Sequence, residues 1–470
     1  MKRRTQTHRR PPKPAALRTP SKGGNGQAKT PRAVVTEASA PAAPPGDNRR
    51  RLLIEWACTL LFVFAIYRLS PIITSGDSHF VIPTALEILR HGDPNIDDYR
   101  PQFPEAPWAV KWSRGHFYNA YPIGVPVMAL PVVFVWDRAQ AFRGIDLEAS
   151  AIASPPLALE LTLASLFTAG AASLLFCYCR KRLTLGRSLL LTSLFAFGTS
   201  AYSSASRGMW QHGPSMLLLL AAILVFDRMA SRHLWGGVLV GLLAGFSFSI
   251  RSSNLLLIVA FAVLVGVRKR RWLPPYLIGA TLGLVPLIAF HLAVFGTILS
   301  PYYRMTMGAA SAPFHLAALL GLLFSPSRGL LIFSPFLVFV LARFWPSILR
   351  EHPLSLLETA LGFLALAWIF GTAKWPDWWG GGSFGPRMLC ELLPCLMILL
   401  IPVVERMSFQ TGKSNRILAT GFLILGTVSV AIHLRAATSQ DVWEWNANPV
   451  PIPSRVWSWR DVQFLRGLHR

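Results

Sequence analysis

An all-α, polytopic integral membrane protein is the fold class this 470-residue sequence predicts, and three observations carry it. Mean hydropathy is +0.42, with 52% hydrophobic and 14% charged residues, more apolar surface than a water-soluble core of this size needs. The apolar runs are each close to the roughly 20 residues that a helix needs to cross the hydrocarbon core. They lack the period-two alternation of a membrane-spanning strand.

Residues 1–51 carry 13 Lys/Arg against Glu37 and Asp47, with eight prolines and few large apolar side chains. Such a segment cannot bury enough surface to fold, so a disordered basic tail held on the cytoplasmic side is expected. Its charge attracts anionic membrane lipid, and nucleic acid is not an expected partner. The run 52–74 starts too far into the chain for a cleaved signal and reads as an uncleaved anchor. In the outer loop that follows, 75–120, Val81, Ala85 and Leu89, joined by Ile82, Leu86 and Ile88, form an apolar stripe at helical spacing. With Glu87, Arg90 and His91 on the other side, the stripe predicts an amphipathic helix lying in the interface and stopped by Gly92. Further spans are expected near 157–178, 188–206, 213–230, 234–250, 253–267, 274–298, 329–345, 355–373, 385–404 and 415–435. Two more apolar pieces, 121–136 and 314–324, are short or proline-interrupted, as re-entrant or interfacial helices are. The total is about eleven spans, or twelve if 121–136 crosses. Residues 52–435 are then one transmembrane domain, followed by a Trp-rich extracytoplasmic segment, 436–470.

Basic residues in short loops stay in the cytoplasm. That rule puts the tail, 180–182, 228–233, 268–271, 343–350 and 406–416 inside, and it is self-consistent if 121–136 does not fully cross. Every other polar connector then emerges on the opposite face: 75–120, 206–213, 250–254, 300–305, 374–387 and 436–470. These connectors hold the aromatic, Gly, Arg, His and Asp residues, so the chemistry is expected to face outward.

The five cysteines lie in or beside apolar runs, where they act as small hydrophobes. Asp77 stands where the first span ends, in reach of capping the next helix, as is Ser78. Glu87 reads as an exposed partner of Arg90 or His91. Asp93, Asp97 and Asp98 suit turns or, with Asp77, the oxygen ligands of a divalent ion. Several outward cations beside aromatic rings suit a phosphate at the membrane surface, although Arg387 and Glu391 stand one helical turn apart and are expected to pair. In KWPDWWGGGSFGPR, three successive glycines let backbone approach a ligand closely, and Trp375, Trp378 and Trp379 supply flat rings for sugars or lipid. Trp443, Trp445, Trp457 and Trp459 read as an interfacial belt.

SGDSHFVIPTALEILRHGD, YPIGVPVMALP, RGMWQHGPSM, IRSSNLLL and WWGGGSFGPRMLCELLP, in a layout of short cytoplasmic N-terminus, first span and large outer loop, resemble the GT-C superfamily. Its members are glycosyltransferases that use polyprenyl-phosphate sugars, and the likeness is to the bacterial branch related to the lipid A aminoarabinose transferase and the protein O-mannosyltransferases. It covers most of 52–435, and RVWSWRDVQFLRG is similar to a segment of the same group. Where many relatives place a second acid, this chain has Ser78.

The resemblance implies an inverting transferase in a bacterial inner membrane that moves a sugar from a polyprenyl-phosphate donor to a glycan, lipid or protein outside the cytoplasm. It implies Asp77 as the base for the acceptor hydroxyl and Arg251, Arg304, Lys374 and Arg387 as donor-phosphate ligands. His116, Tyr121, His212, Trp378 and Trp379 are the expected acceptor- or sugar-binding side chains. No cofactor is certain; a divalent metal ion, if present, has Asp97 and Asp98 as its candidates. Three rivals stand beside this reading: a transporter or lipid flippase with Glu160 as its mid-span carboxylate, a ligase or polymerase of lipid-linked glycans, and a non-catalytic scaffold, which would tolerate Asp77→Ala.

Overall fold

The computed structural model describes residues 45–468 except 75, 77, 104, 106–108, 309, 310, 409 and 411. The basic tail up to residue 44 and Asp77, the expected base, therefore lie outside the described residues. Residues from Arg49 onward form one unit.

The first helix, α1 (Pro45–Leu69), stops at Ser70-Pro71, because the residue before a proline is pushed out of helical geometry. A layer of short elements follows: α2 (Val81–Arg90), β1 (Val110–Ser113), β2 (His116–Asn119), α3 (Gly124–Phe142) and α4 (Leu147–Ala153). The bundle continues with α5 (Leu157–Cys179), α6 (Leu185–Phe197), α7 (His212–Arg228), α8 (Trp235–Ile250), α9 (Leu255–Arg268), α10 (Leu273–Phe295) and the short α11 (Pro301–Gly308). Its later long helices are Leu356–Ala373, Arg387–Arg406 and Lys413–Thr438.

Among the described residues, seven helices are long and apolar enough to cross a membrane: Arg49–Leu69, Gly124–Phe142, Leu157–Cys179, Arg270–Phe295, Leu356–Ala373, Arg387–Arg406 and Lys413–Thr438. Several other expected spans are shorter or broken. The run 188–206 becomes α6 plus a π turn at Ala201–Ala205, and 329–345 becomes one α turn and the 3-10 stretch Pro335–Phe344.

Two expectations about the outer loop are corrected. Among the described residues the fold is helical apart from one antiparallel hairpin, β1 with β2, whose two-residue turn Arg114-Gly115 takes positive φ at both positions. Helix α2 forms where its period puts it, but α3 covers one side and Ile96, Tyr99 and Phe103 another, so Val81 to Glu87 are all buried. Glu87 is therefore 3% exposed rather than a surface residue. Ser78 does not cap α2; its hydroxyl donates to Glu160.

The 121–136 piece is also longer than expected. Its prolines do not break α3, because Pro126 falls in the first turn, where amides have no intrahelical acceptor, and Pro131 removes one bond from a helix of 19 residues.

Contacts between chain segments sort the bundle into two ends. At one, Arg180 just past α5 bonds Glu55 of α1 at 2.8 Å, Lys181 pairs with Asp227, Arg182 with Glu405, Arg406 with Glu351, and Lys269 donates to Met229 O at 2.5 Å. The expected cytoplasmic loops are thus neighbours. At the other end, Ser78 meets Glu160 at the start of α5, and His212 at the start of α7 meets Arg251 just beyond α8.

Candidate functional site

A cavity of about 1170 Å³ opens at the end of the bundle away from the basic loops. Residues 72–81, 121–125, 209–212, 251–256, 302–307, 367–388 and 440–446 contribute to its wall. Arg251, Lys374 and Arg387 bring positive charge, Trp210, Tyr121, Tyr302 and Trp379 bring rings, and Leu255, Leu256, Ala367 and Trp368 form an apolar side between α9 and Leu356–Ala373.

Each wall segment is fixed by its neighbours. Thr74 N donates to Arg207 O at 2.8 Å and Trp210 Nε1 to Thr74 Oγ1 at 2.9 Å, which ties the exit of α1 to the loop before α7. Arg387 lies 3.8 Å over the Trp210 ring, a cation–π contact, and donates to Gly380 O at 2.9 Å. Glu391 Oε1 lies 2.7 Å from His212 Nδ1, in hydrogen-bond contact, and forms an ion pair with Arg251 Nε at 3.4 Å. Arg387 and Glu391 lie in a 3-10 helix, Arg387–Leu392, rather than on the α-helical turn that the spacing predicts.

The glycine loop needs its glycines. Gly380 and Gly381 have φ of 76° and 62°, and a Cβ on Gly380 would stand 2.9 Å from the Met388 side chain. Behind the loop lies Arg328, 1% exposed. It donates to Trp379 O (2.8 Å), Ser327 O (2.7 Å), Gly381 O (3.2 Å), Gln463 Oε1 (2.6 Å) and Asn446 Oδ1 (3.4 Å). An arginine keeps its charge at neutral pH even when buried, so these carbonyls and amides face a cation. Gln463 returns a bond from Nε2 to Ser383 O at 3.0 Å. The C-terminal segment is therefore part of the site's frame.

Of the expected site residues, Arg251, Lys374, Arg387, Tyr121, His212 and Trp379 line the cavity together, and Gly76 and Ser78 line it on either side of Asp77 in sequence. Three do not. Arg304 is exposed on α11, whose Tyr302, Met305 and Thr306 face the cavity. His116 sits at the exposed start of β2, next to the hairpin turn and on the same strand face as Tyr118, with Nδ1 2.6 Å from Asp97. Trp378 packs its ring against Gly321, where a Cβ would come within 2.1 Å.

Asp97, a metal candidate, spends its oxygens on His116 and on Phe117 N at 2.7 Å, while Asp98 is exposed. Asp93 accepts from Asn95 N at 3.0 Å and forms a turn. Glu160 is not mid-span: it lies in the first turn of α5 and accepts from Ser78 and from Met209 N at 3.0 Å. Trp457 and Trp459 are exposed, as a belt requires, but Trp443 lines the cavity and Trp445 is buried between Arg328 and Arg455.

The sequence reading missed Trp210, Arg328, Asn446 and Gln463. Trp210 lies in the segment RGMWQHGPSM and Arg328 is an arginine between the apolar runs 314–324 and 329–345, where a charge must find internal partners, whereas Asn446 and Gln463 carried no signal. No family model matches the chain, and no curated protein matches it either.

Proposed function

We propose that the protein is a membrane glycosyltransferase that moves a sugar from a polyprenyl-phosphate donor to an extracytoplasmic glycan, lipid or protein, with the basic loops in the cytoplasm of a bacterial cell. The observation that carries this reading is the convergence of Arg251, Lys374 and Arg387 on one cavity whose remaining walls are aromatic on one side and apolar on another. A lipid phosphate needs cations for its head and an apolar cleft for its first isoprene units, and a sugar needs flat rings.

In the proposed reaction the acceptor oxygen attacks the anomeric carbon as Asp77 takes the hydroxyl proton. The bond from that carbon to the phosphate oxygen breaks, the electron pair leaves on the phosphate, and the anomeric centre inverts. Phosphate is already a good leaving group, so cations rather than a general acid stabilise the departing charge. Glu160, in the first turn of α5 and bonded to Ser78 and Met209, suits a role in holding the wall better than one in coupling ion movement.

Purified wild type and Asp77→Asn, each given labelled polyprenyl-phosphate sugars, test the proposal. Wild type should transfer one sugar per acceptor, and Asp77→Asn should fall at least 100-fold. Transfer of whole oligosaccharides would indicate a ligase. No transfer by well-folded wild type, or loss of function only in Glu160→Gln, would sink the proposal in favour of transport.

A further inference from the structure

Glu87 poses a problem that the cavity does not solve. It is 3% exposed, and its Oε1 is buried with no hydrogen-bond partner among the described residues. A carboxylate taken out of water without a partner is costly. One turn further along α2, at its C-terminal cap, stands His91, and α4 supplies Glu148 from the other side. One donor atom from each of Glu87, His91 and Glu148 lies within 4.8 Å of the other two. His91 Nε2 and Glu148 Oε1 are already 2.9 Å apart, close to the roughly 3.3 Å that separates two donors about 2 Å from a tetrahedral ion. Binding an ion would draw the Glu87 oxygen inward from its position within 4.8 Å of the other two donors.

The surrounding charges leave room for a divalent cation. Arg90 bonds Asp137 at 2.6 Å and Asp146 and Glu148 at 2.8 Å each, and Arg138 bonds Asp137 at 2.6 Å. Three carboxylates, Asp137, Asp146 and Glu148, thus share two guanidiniums, an excess of one negative charge to which an ionised Glu87 adds a second. The pair Glu87 and His91, four apart, projects from one face of the helix, as chelating pairs do.

We infer that Glu87, His91 and Glu148 form a binding site for one divalent cation of the zinc class, which clamps α2 to α4. An imidazole among two carboxylates selects zinc-like ions over calcium or magnesium, which prefer oxygen alone. The site is separate from the cavity, but α2 leads out of the wall residues Ser78 and Val81, so the clamp would steady that wall. It does not depend on the proposed transferase activity.

The test uses the full chain in detergent, stripped by a chelator and titrated with Zn²⁺ by calorimetry, with thermal melting in parallel. Wild type should bind one equivalent and melt at higher temperature with zinc. His91→Ala, which alters a half-exposed side chain, should lose both responses, and Glu87→Gln should bind at least tenfold more weakly. Asp97→Asn should behave as wild type. No saturable zinc binding by wild type, binding by His91→Ala and Glu87→Gln as tight as that of wild type, or loss in Asp97→Asn alone would each overturn the inference.

Discussion

Among the described residues the Arg328 guanidinium donates to uncharged oxygens: three backbone carbonyls and the side chains of Gln463 and Asn446. A buried guanidinium held this way organises loop backbone rather than neutralising an acid. Replacing it by methionine fills similar volume but strands five acceptors, so the cost should be on the order of 3 kcal/mol. Melting of Arg328→Met in detergent should fall accordingly, and Arg328→Lys should recover only part, because a point charge cannot span the same fork. An unchanged melting temperature would mean that Gln463 and Asn446 hold the loop without it. At this scale the sequence showed which residue types would line the cavity, and Arg251, Lys374 and Arg387 do. It could not show Gln463 or Asn446, which are ordinary amides until the fold brings them 135 and 118 positions back to Arg328.

The closest helix pair shows what local pattern can specify. Gly237, Gly241 and Gly245 of α8 repeat every fourth residue, as do Gly279 and Gly283 of α10, and this spacing lines up small residues on one face. A Cβ on Gly241 would stand 2.0 Å from Tyr276 O, and one on Gly279 equally close to Val238 O. The obstacle is backbone, so no side chain can swing aside. Gly241→Val should therefore abolish monodisperse folded protein on gel filtration, whereas Gly266→Ala on α9, with nothing within 4 Å of the added carbon, should be tolerated and slightly favourable to the helix. Helix α2 illustrates the opposite limit. Its period was readable, but burial of its polar side depends on α3, α4 and the segment after it, and periodicity says nothing about a second covering layer.

Across the whole unit, loop charge proved the most informative long-range signal, since the segments 180–182, 227–233, 268–272 and 405–407 meet at one end and the cavity lies at the other. Helix α3 tests whether that division follows the bilayer. It is long enough to cross, yet it runs beside α2 from the cavity residues Tyr121 and Val125 to Asp137, where Arg90 at the end of α2 holds it. Its far end leads into α4, whose Ala151 and Ile152 carbonyls accept from Gln102, so both ends belong to the layer that includes Ser78 and the start of α5. A crossing would reverse every later helix and carry five basic loops outward against the charge rule. In a cysteine-free background, Lys111→Cys on the hairpin and Arg143→Cys just past α3 should react with a membrane-impermeant maleimide in intact cells. Ser231→Cys, between α7 and α8, should react only after permeabilisation. Labelling of Lys111→Cys and Arg143→Cys from opposite sides would place α3 across the bilayer, and labelling of Ser231→Cys in intact cells would invert the assignment of the cavity to the outer face.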